Sequence, residues 1–482
     1  MQLKDNSLLK QQCYIGGEWK DAFSGDTITV YNPATGEAIA TVPKMCRPEA
    51  EMAIDAANKA FAQWRKTSAK ERSRILKQWY ELIIENQEDL AIILCMEQGK
   101  PYPEARKEIV HGANYIEWFA EEAKRINGDI IPAHSPDKKA LVTKEPIGVC
   151  AAITPWNFPN SMITRKTSPA LAAGCTFVIR PASQTPLSAL ALAELADRAG
   201  LPAGVFNVIT GTHDIGEVFT TSEIVRKFSF TGSTTVGSQL MARCAGTIKK
   251  VSLELGGNAP FIVFEDADLD AAVQGVIANK YRNAGQTCVC ANRIYVQNSV
   301  YEQFIEKLSE AVKQLKVGDG FTDGVDLGPL IEQAAVEKVQ SLIQDALDKG
   351  AKLVLGGKPH ALGGLFFEPT ILAEVTADMK VAKEEIFGPV APIFRFETEQ
   401  EVIAYANDTI YGLAAYFFSK DMARAFRVSE ALEYGMVGSN TGTLSNEFAP
   451  FGGVKQSGIG REGSKYGIYD YLEIKYTLLA GL

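Results

Sequence analysis

A cysteine in a loop of small residues, Gly285-Gln286-Thr287-Cys288, is the position in this sequence best suited to attack an electrophilic carbon. Thiols react as thiolates, so such a residue needs a cationic or hydrogen-bonding setting. A cysteine is also a common small packing residue, and that alternative stands beside the first. Glu254 closes an apolar run and is followed by two glycines. A carboxyl in apolar surroundings has a raised pKa, in the range of a general base; the alternative is a solvated glutamate at a strand end. Asn157 follows Pro155 and Trp156, which restrict its backbone. A fixed amide can donate to the oxyanion formed when a thiolate adds to a carbonyl, although asparagine is equally a turn residue.

These groups need elements to hold them. Residues 48–130 read as three amphipathic helical runs, with apolar positions recurring at three and four residues. Gly128, Pro132 and Pro136 break that pattern ahead of an alternating, strand-like stretch, ALVTKEP. From 146 to 263, short apolar runs alternate with helical ones, which implies a parallel sheet covered on both faces. Such sheets bind ligands beyond the carboxyl ends of their strands. The strand ends here carry Pro155-Trp156-Asn157, Arg180-Pro-Ala-Ser183, Thr231-Gly232-Ser233 and Glu254-Leu-Gly-Gly257. A second α/β block runs to about residue 450, and the tail YGIYDYLEIKYTLL alternates like a strand.

Bulk properties narrow the classes. A chain of 482 residues implies two or three domains. The net charge of -9 leaves no basic domain to neutralise nucleic-acid phosphates. No apolar stretch is long enough to span a bilayer, and the start MQLKDNSLLKQQC lacks the apolar core of a signal peptide, so neither membrane nor export is expected. Eight scattered cysteines point to a reducing compartment, the cytoplasm. With four histidines and no His/Cys cluster at ligand spacing, no metal site is expected.

Taken together, the residues resemble the aldehyde dehydrogenase superfamily. The motifs stand here as PWNFP (155–159), FTGSTTVG (230–237), LELGGN (253–258), GQTC (285–288), EEIFGPV (384–390) and FGGVKQSGIGRE (451–462), in the family's order and spacing. Within it, the chain resembles bacterial succinate-semialdehyde and glutarate-semialdehyde dehydrogenases, down to NAGQTCVCANR and REGSKYGIYDYLEIKY. The resemblance implies an α/β fold. A Rossmann-like cofactor domain would span 1–126 and 146–254, and an α/β catalytic domain 255–450. A small β oligomerisation flap from 127–145 and 466–482 would build a homotetramer or homodimer.

The resemblance also implies roles. Cys288 matches the nucleophile, Glu254 the base for the deacylating water, and Asn157 with the Cys288 backbone N–H the oxyanion hole. Lys166 matches a lysine near the cofactor and proton path, with a structural ion pair as the alternative. Trp156, Asn157, Arg180, Ser183, Gly232, Ser233, Leu255 and Glu385 fall at cofactor positions, Glu385 on the nicotinamide ribose. Where the family's NAD enzymes read Lys-Pro-x-Glu, this chain reads Arg180-Pro181-Ala182-Ser183. The missing carboxylate removes repulsion against a 2′-phosphate, so NADP is expected over NAD; the alternative is Arg180 paired with a surface acid. Arg165, Arg282 and Ser445 match the positions that hold a substrate carboxylate. Succinic semialdehyde, as in 4-aminobutyrate degradation, is the expected substrate, with glutaric semialdehyde one methylene longer. Cys290 forms either a redox pair with Cys288 or a buried apolar filler.

A cysteine hydrolase is the rival from another class. It needs a histidine partner, and His111, His134, His213 and His360 sit in no recognisable catalytic setting in the sequence.

Overall fold

The computed structural model describes residues 2–481. Its first sheet has eight strands. Five of them are parallel, in the spatial order Lys250–Glu254, Val225–Thr231, Val149–Ile153, Thr176–Arg180 and Phe206–Val208. The chain enters at the middle strand, works outward to Phe206–Val208, then returns to the other side. Strand order therefore reverses beside Val149–Ile153, and such a switch point opens a crevice at the carboxyl ends. These strands are nearly all apolar because helices bury both faces; every residue of Thr176–Arg180 is buried.

The second sheet has seven strands, parallel except for the edge strand Lys352–Leu355. Its centre is Ala259–Val263 and Ala291–Gln297. The two sheets meet at a glycine: a Cβ on Gly257 would lie 2.3 Å from the Cys288 carbonyl oxygen, so only glycine lets the strand carrying Glu254 pass this close to the cysteine loop. The antiparallel strand Gly458–Ile459 then pairs back with Leu253 and Glu254.

Asp129–Ile131, Lys138–Pro146 and Leu472–Ala480 form a separate antiparallel sheet. This matches the two strand-like pieces read in the sequence, except that Gly467–Tyr471 is a 3₁₀ turn. Ile130, Ile474 and Tyr476 are exposed on it.

Two readings change. The region 48–130 holds four α-helices, Arg47–Trp64, Ala69–Glu85, Gln87–Gln98 and Tyr102–Glu122, because Asn86 leaves the helical conformation and divides one long run. Four short strands before residue 45 (Cys13–Ile15, Glu18–Lys20, Thr27–Tyr31 and Ala38–Pro43) were not anticipated, being too short for a periodic signal. Among the described residues no helix is long and apolar enough to cross a membrane.

Candidate active site

Cys288 lies between a helix that ends in a π turn, Ile277–Tyr281, and the strand Ala291–Gln297. Asn283 (φ 51°), Ala284 (φ 53°) and Gly285 (φ 76°) are consecutively left-handed. For Asn283 and Ala284 that conformation costs roughly 1–2 kcal/mol each, so surrounding contacts must hold it. The Asn283 N–H donates to the Glu104 carboxylate at 3.1 Å, and its Nδ2 donates to the Asn157 carbonyl at 3.0 Å. Gln286 Nε2 donates to the Asn283 carbonyl at 3.1 Å while its Oε1 accepts from the Ile331 N–H at 2.9 Å. Asn157 Nδ2 donates in turn to the Gln286 carbonyl at 3.0 Å. This network carries Asn157 to the cysteine loop and fixes both.

Two cavities open on Cys288, and they share it and Met162. One, of about 350 Å³, is walled by Trp156, Thr231, Gly232, Glu254, Leu255 and Glu385. It is the crevice expected at the switch point. Ser233 caps the helix Thr234–Cys244 at its rim, accepting from the Val236 N–H. The other, of about 290 Å³, is walled by Phe158, Arg165, Arg282, Ser445, Phe451 and His111.

Burial dominates the electrostatics. It pushes the Cys288 thiol up to about 12, helped by the Glu385 charge and opposed by Arg165. It also raises Glu254 well above the ordinary carboxyl range, with nearby Glu462 adding to the effect and Lys166 and Arg165 opposing it. Both Glu254 oxygens are buried without a hydrogen-bond partner. Glu385 is raised to about 7 by burial, although its Oε1 accepts the Gly257 N–H at 2.9 Å. His111 is lowered to about 4 by burial and by the charges of Arg165 and Arg282, so its imidazole is neutral.

The remaining sequence-derived residues divide. Lys166 lines neither cavity. It is buried in an ion pair with Glu462, the structural alternative left open by the sequence. Arg165 shares Glu462, its Nε 3.0 Å from Oε2 but outside hydrogen-bond geometry. Among the described residues Arg180 has no ion-pair partner; its Nε and Nη2 both donate to the Gly211 carbonyl, at 3.1 and 2.9 Å, so the planar fork that suits a phosphate is turned onto that carbonyl. Ser183 lines an adjoining cavity that shares Ile331 and Glu332 with the larger one. Ser445 Oγ lies 3.3 Å from His111 Nε2. Cys290 is buried, its sulfur against the Lys280 and Ala291 carbonyls at 3.7 and 3.8 Å, and it lines neither cavity. Both cysteines are free thiols.

In the sequence His111 has no catalytic partner and Lys100, Glu104 and Glu108 belong to no motif, yet all four line the smaller cavity. A signal was present. Glu104, Lys107, Glu108 and His111 are polar at i, i+3, i+4 and i+7, one stripe on a helix that buries Ala105, Ile109 and Gly112.

The aldehyde dehydrogenase family model matches residues 19–477. The chain is 64% identical to a glutarate-semialdehyde dehydrogenase of Pseudomonas aeruginosa, over the whole length of both. It is 63% identical to the NADP(+) succinate-semialdehyde dehydrogenase of Escherichia coli (strain K12), covering 99% of this chain and 100% of that one. A crystal structure described as an E. coli NADP-dependent enzyme superposes with a TM-score of 0.99 at 62% identity, covering 99% of this chain and 100% of that one. With cysteine, carboxyl and amide gathered where two cavities meet, and with matches of this extent, the chain belongs to the aldehyde dehydrogenase family.

Proposed function

We propose that this aldehyde dehydrogenase oxidises succinic semialdehyde to succinate with NADP. The carrying observation is the pair of arginines, Arg165 and Arg282, in the wall of the cavity that opens on Cys288. Among the described residues, the buried Arg165 Nη2 and Arg282 Nε have no hydrogen-bond partner. Unpaired cationic donors are costly, and a terminal carboxylate at the far end of a short aldehyde would pair with this wall. Ser445 and the neutral His111 add uncharged hydrogen-bonding groups to the same wall.

The residues of the larger cavity fit a dinucleotide. The buried Thr231 Oγ1 lacks a partner, and Glu385 Oε2 is aimed past Gly256, where a Cβ would come within 3.0 Å of it. Trp156, Leu255 and Glu385 would hold the nicotinamide half and Gly232 and Ser233 the diphosphate. Bound there, the cofactor supplies the hydride acceptor. Cys288 gives its thiol proton to water, and its Sγ adds to the aldehyde carbon. The Asn157 amide and the Cys288 backbone N–H donate to the resulting oxyanion. Oxidation leaves the acyl group on Cys288 as a thioester. Glu254 takes a proton from water, whose oxygen then cleaves the thioester to release the acid and restore the thiol.

Arg282→Ala should lower kcat/KM for succinic semialdehyde by about 10–100-fold, from a lost charge-assisted hydrogen bond of about 1.5–3 kcal/mol. Steady-state kinetics with butanal, which has no carboxylate, should change far less. Equal losses on both aldehydes would refute the anchor. Glutaric semialdehyde is the second reading, supported by the 64%-identical glutarate-semialdehyde dehydrogenase. One methylene is worth only about 1–3 kcal/mol, so the ratio of kcat/KM for the two semialdehydes decides between them.

NADP over NAD rests on Ser183 standing where the family's NAD enzymes carry a carboxylate, and on the NADP-dependent relative. Ser183→Glu should reduce kcat/KM with NADP by on the order of 100-fold through like-charge repulsion, and affect NAD much less. A clear NAD preference in the unaltered protein would sink this assignment. The domain partition read in the sequence and a cytoplasmic setting remain part of the proposal. So does a homotetramer or homodimer built on the small sheet, whose exposed Ile130, Ile474 and Tyr476 support self-association.

A further inference from the structure

Lys100 is almost fully buried in the break between the helices Gln87–Gln98 and Tyr102–Glu122, where it forms part of the smaller cavity's wall. Its Nζ donates to Glu108 Oε2 at 2.6 Å and to the Asn157 carbonyl at 2.8 Å, and it rests 4.0 Å above the Phe158 ring. Its charge and donors are thus spent on protein groups, which leaves it no free face for a substrate carboxylate. Glu108 is tied on its other side as well. Its Oε1 accepts the N–H groups of Asn160 and Ser161, at 3.0 and 3.2 Å, where the helix Ser161–Ala173 begins. The segment 157–161 is therefore gripped by one buried ion pair, with Asn283 Nδ2 supplying a further donor to the same Asn157 carbonyl.

A buried ion pair adds little net stability, because desolvating two charges cancels most of their attraction. Its value lies in geometry: the charges, once paired inside, tolerate few alternative arrangements. We infer that Lys100 is a positioning residue that acts through Asn157, with Glu108 orienting its ammonium. It would set the Asn157 backbone so that the side-chain amide faces the oxygen of the carbonyl attacked by Cys288. This rests on the oxyanion role proposed for Asn157. An amide displaced by an ångström loses much of its effect on a developing charge.

A double-mutant cycle in the full-length protein tests this: K100M, N157A and the double variant, read by the pre-steady-state rate of NADPH formation with succinic semialdehyde. N157A alone should slow that rate by on the order of 10²–10³-fold. K100M alone should slow it by about 10–100-fold, with KM and NADP binding nearly unchanged and the same loss on butanal. The double variant should then be no slower than N157A, because the residue through which Lys100 acts is gone. Multiplying losses would overturn the inference while leaving the Asn157 reading intact. A K100M loss confined to the carboxylated aldehyde would also overturn it, by making Lys100 a substrate contact. An N157A variant of full rate would remove the oxyanion reading and the inference with it. If thermal melting shows that K100M does not fold, E108Q, which keeps the side-chain shape, takes its place in the same cycle and decides by the same outcomes.

Discussion

Cys288→Ala abolishes aldehyde oxidation, with kcat falling by on the order of 10⁵-fold or more, while the protein still binds NADP. The size follows from chemistry: without the sulfur there is no covalent acyl carrier, and loss of a nucleophile removes the concerted action of every group arranged around it. Binding survives because Cys288 forms only the inner wall where the two cavities join, whereas the larger cavity is built by Trp156, Thr231, Leu255 and Glu385. Titration of NADP against intrinsic fluorescence and a 340 nm assay separate the two effects, and retained turnover would end the assignment. A pH dependence accompanies it. A thiol raised to about 12 by burial is neutral in the unliganded protein at pH 7. Its alkylation by iodoacetamide should therefore be slow there and climb about tenfold per pH unit into the alkaline range. A plateau below pH 8 would mean that the resting thiol is already ionised.

Glu254→Gln has the second largest expected effect, and of a different kind. Acylation does not need this carboxylate, so about one NADPH per active site should form in a rapid burst. Steady-state turnover should then fall by about 10²–10⁴-fold, the usual contribution of a general base. The environment fits the role. Glu254 ends a buried strand, both its oxygens lack partners, and Gly452 passes so close that a Cβ there would lie 3.0 Å from Oε1. The sign of its pH dependence follows from the raised pKa. Below it the group is a neutral acid, unable to take a proton, so deacylation quickens as pH rises through that value. Unimpaired turnover in stopped-flow and steady-state assays would eliminate Glu254 as the base.

Much of the site was legible because a parallel sheet gathers its strand ends, so groups that sit locally after apolar runs converge without long-range knowledge. Asn157 and Glu254 were readable in this way, and the periodic signal also found the small sheet's long strands. What stayed hidden depends on partners remote in sequence. Lys166 meets Glu462 across 296 positions, and Ser445 meets His111 across 334. No local pattern tells a buried ion pair from a free cation, so Lys166 remained open. In the sequence Arg180 offers a charge and a planar fork suited to phosphate, and two of its nitrogens are taken by the Gly211 carbonyl, which only the folded loop brings near.

The meeting of two chambers at one sulfur has a consequence for crowding. Among their lining residues the chambers have only Cys288 and Met162 in common. A bulkier side chain at position 162 should therefore narrow both at once, whereas a change elsewhere in either wall acts on one side alone.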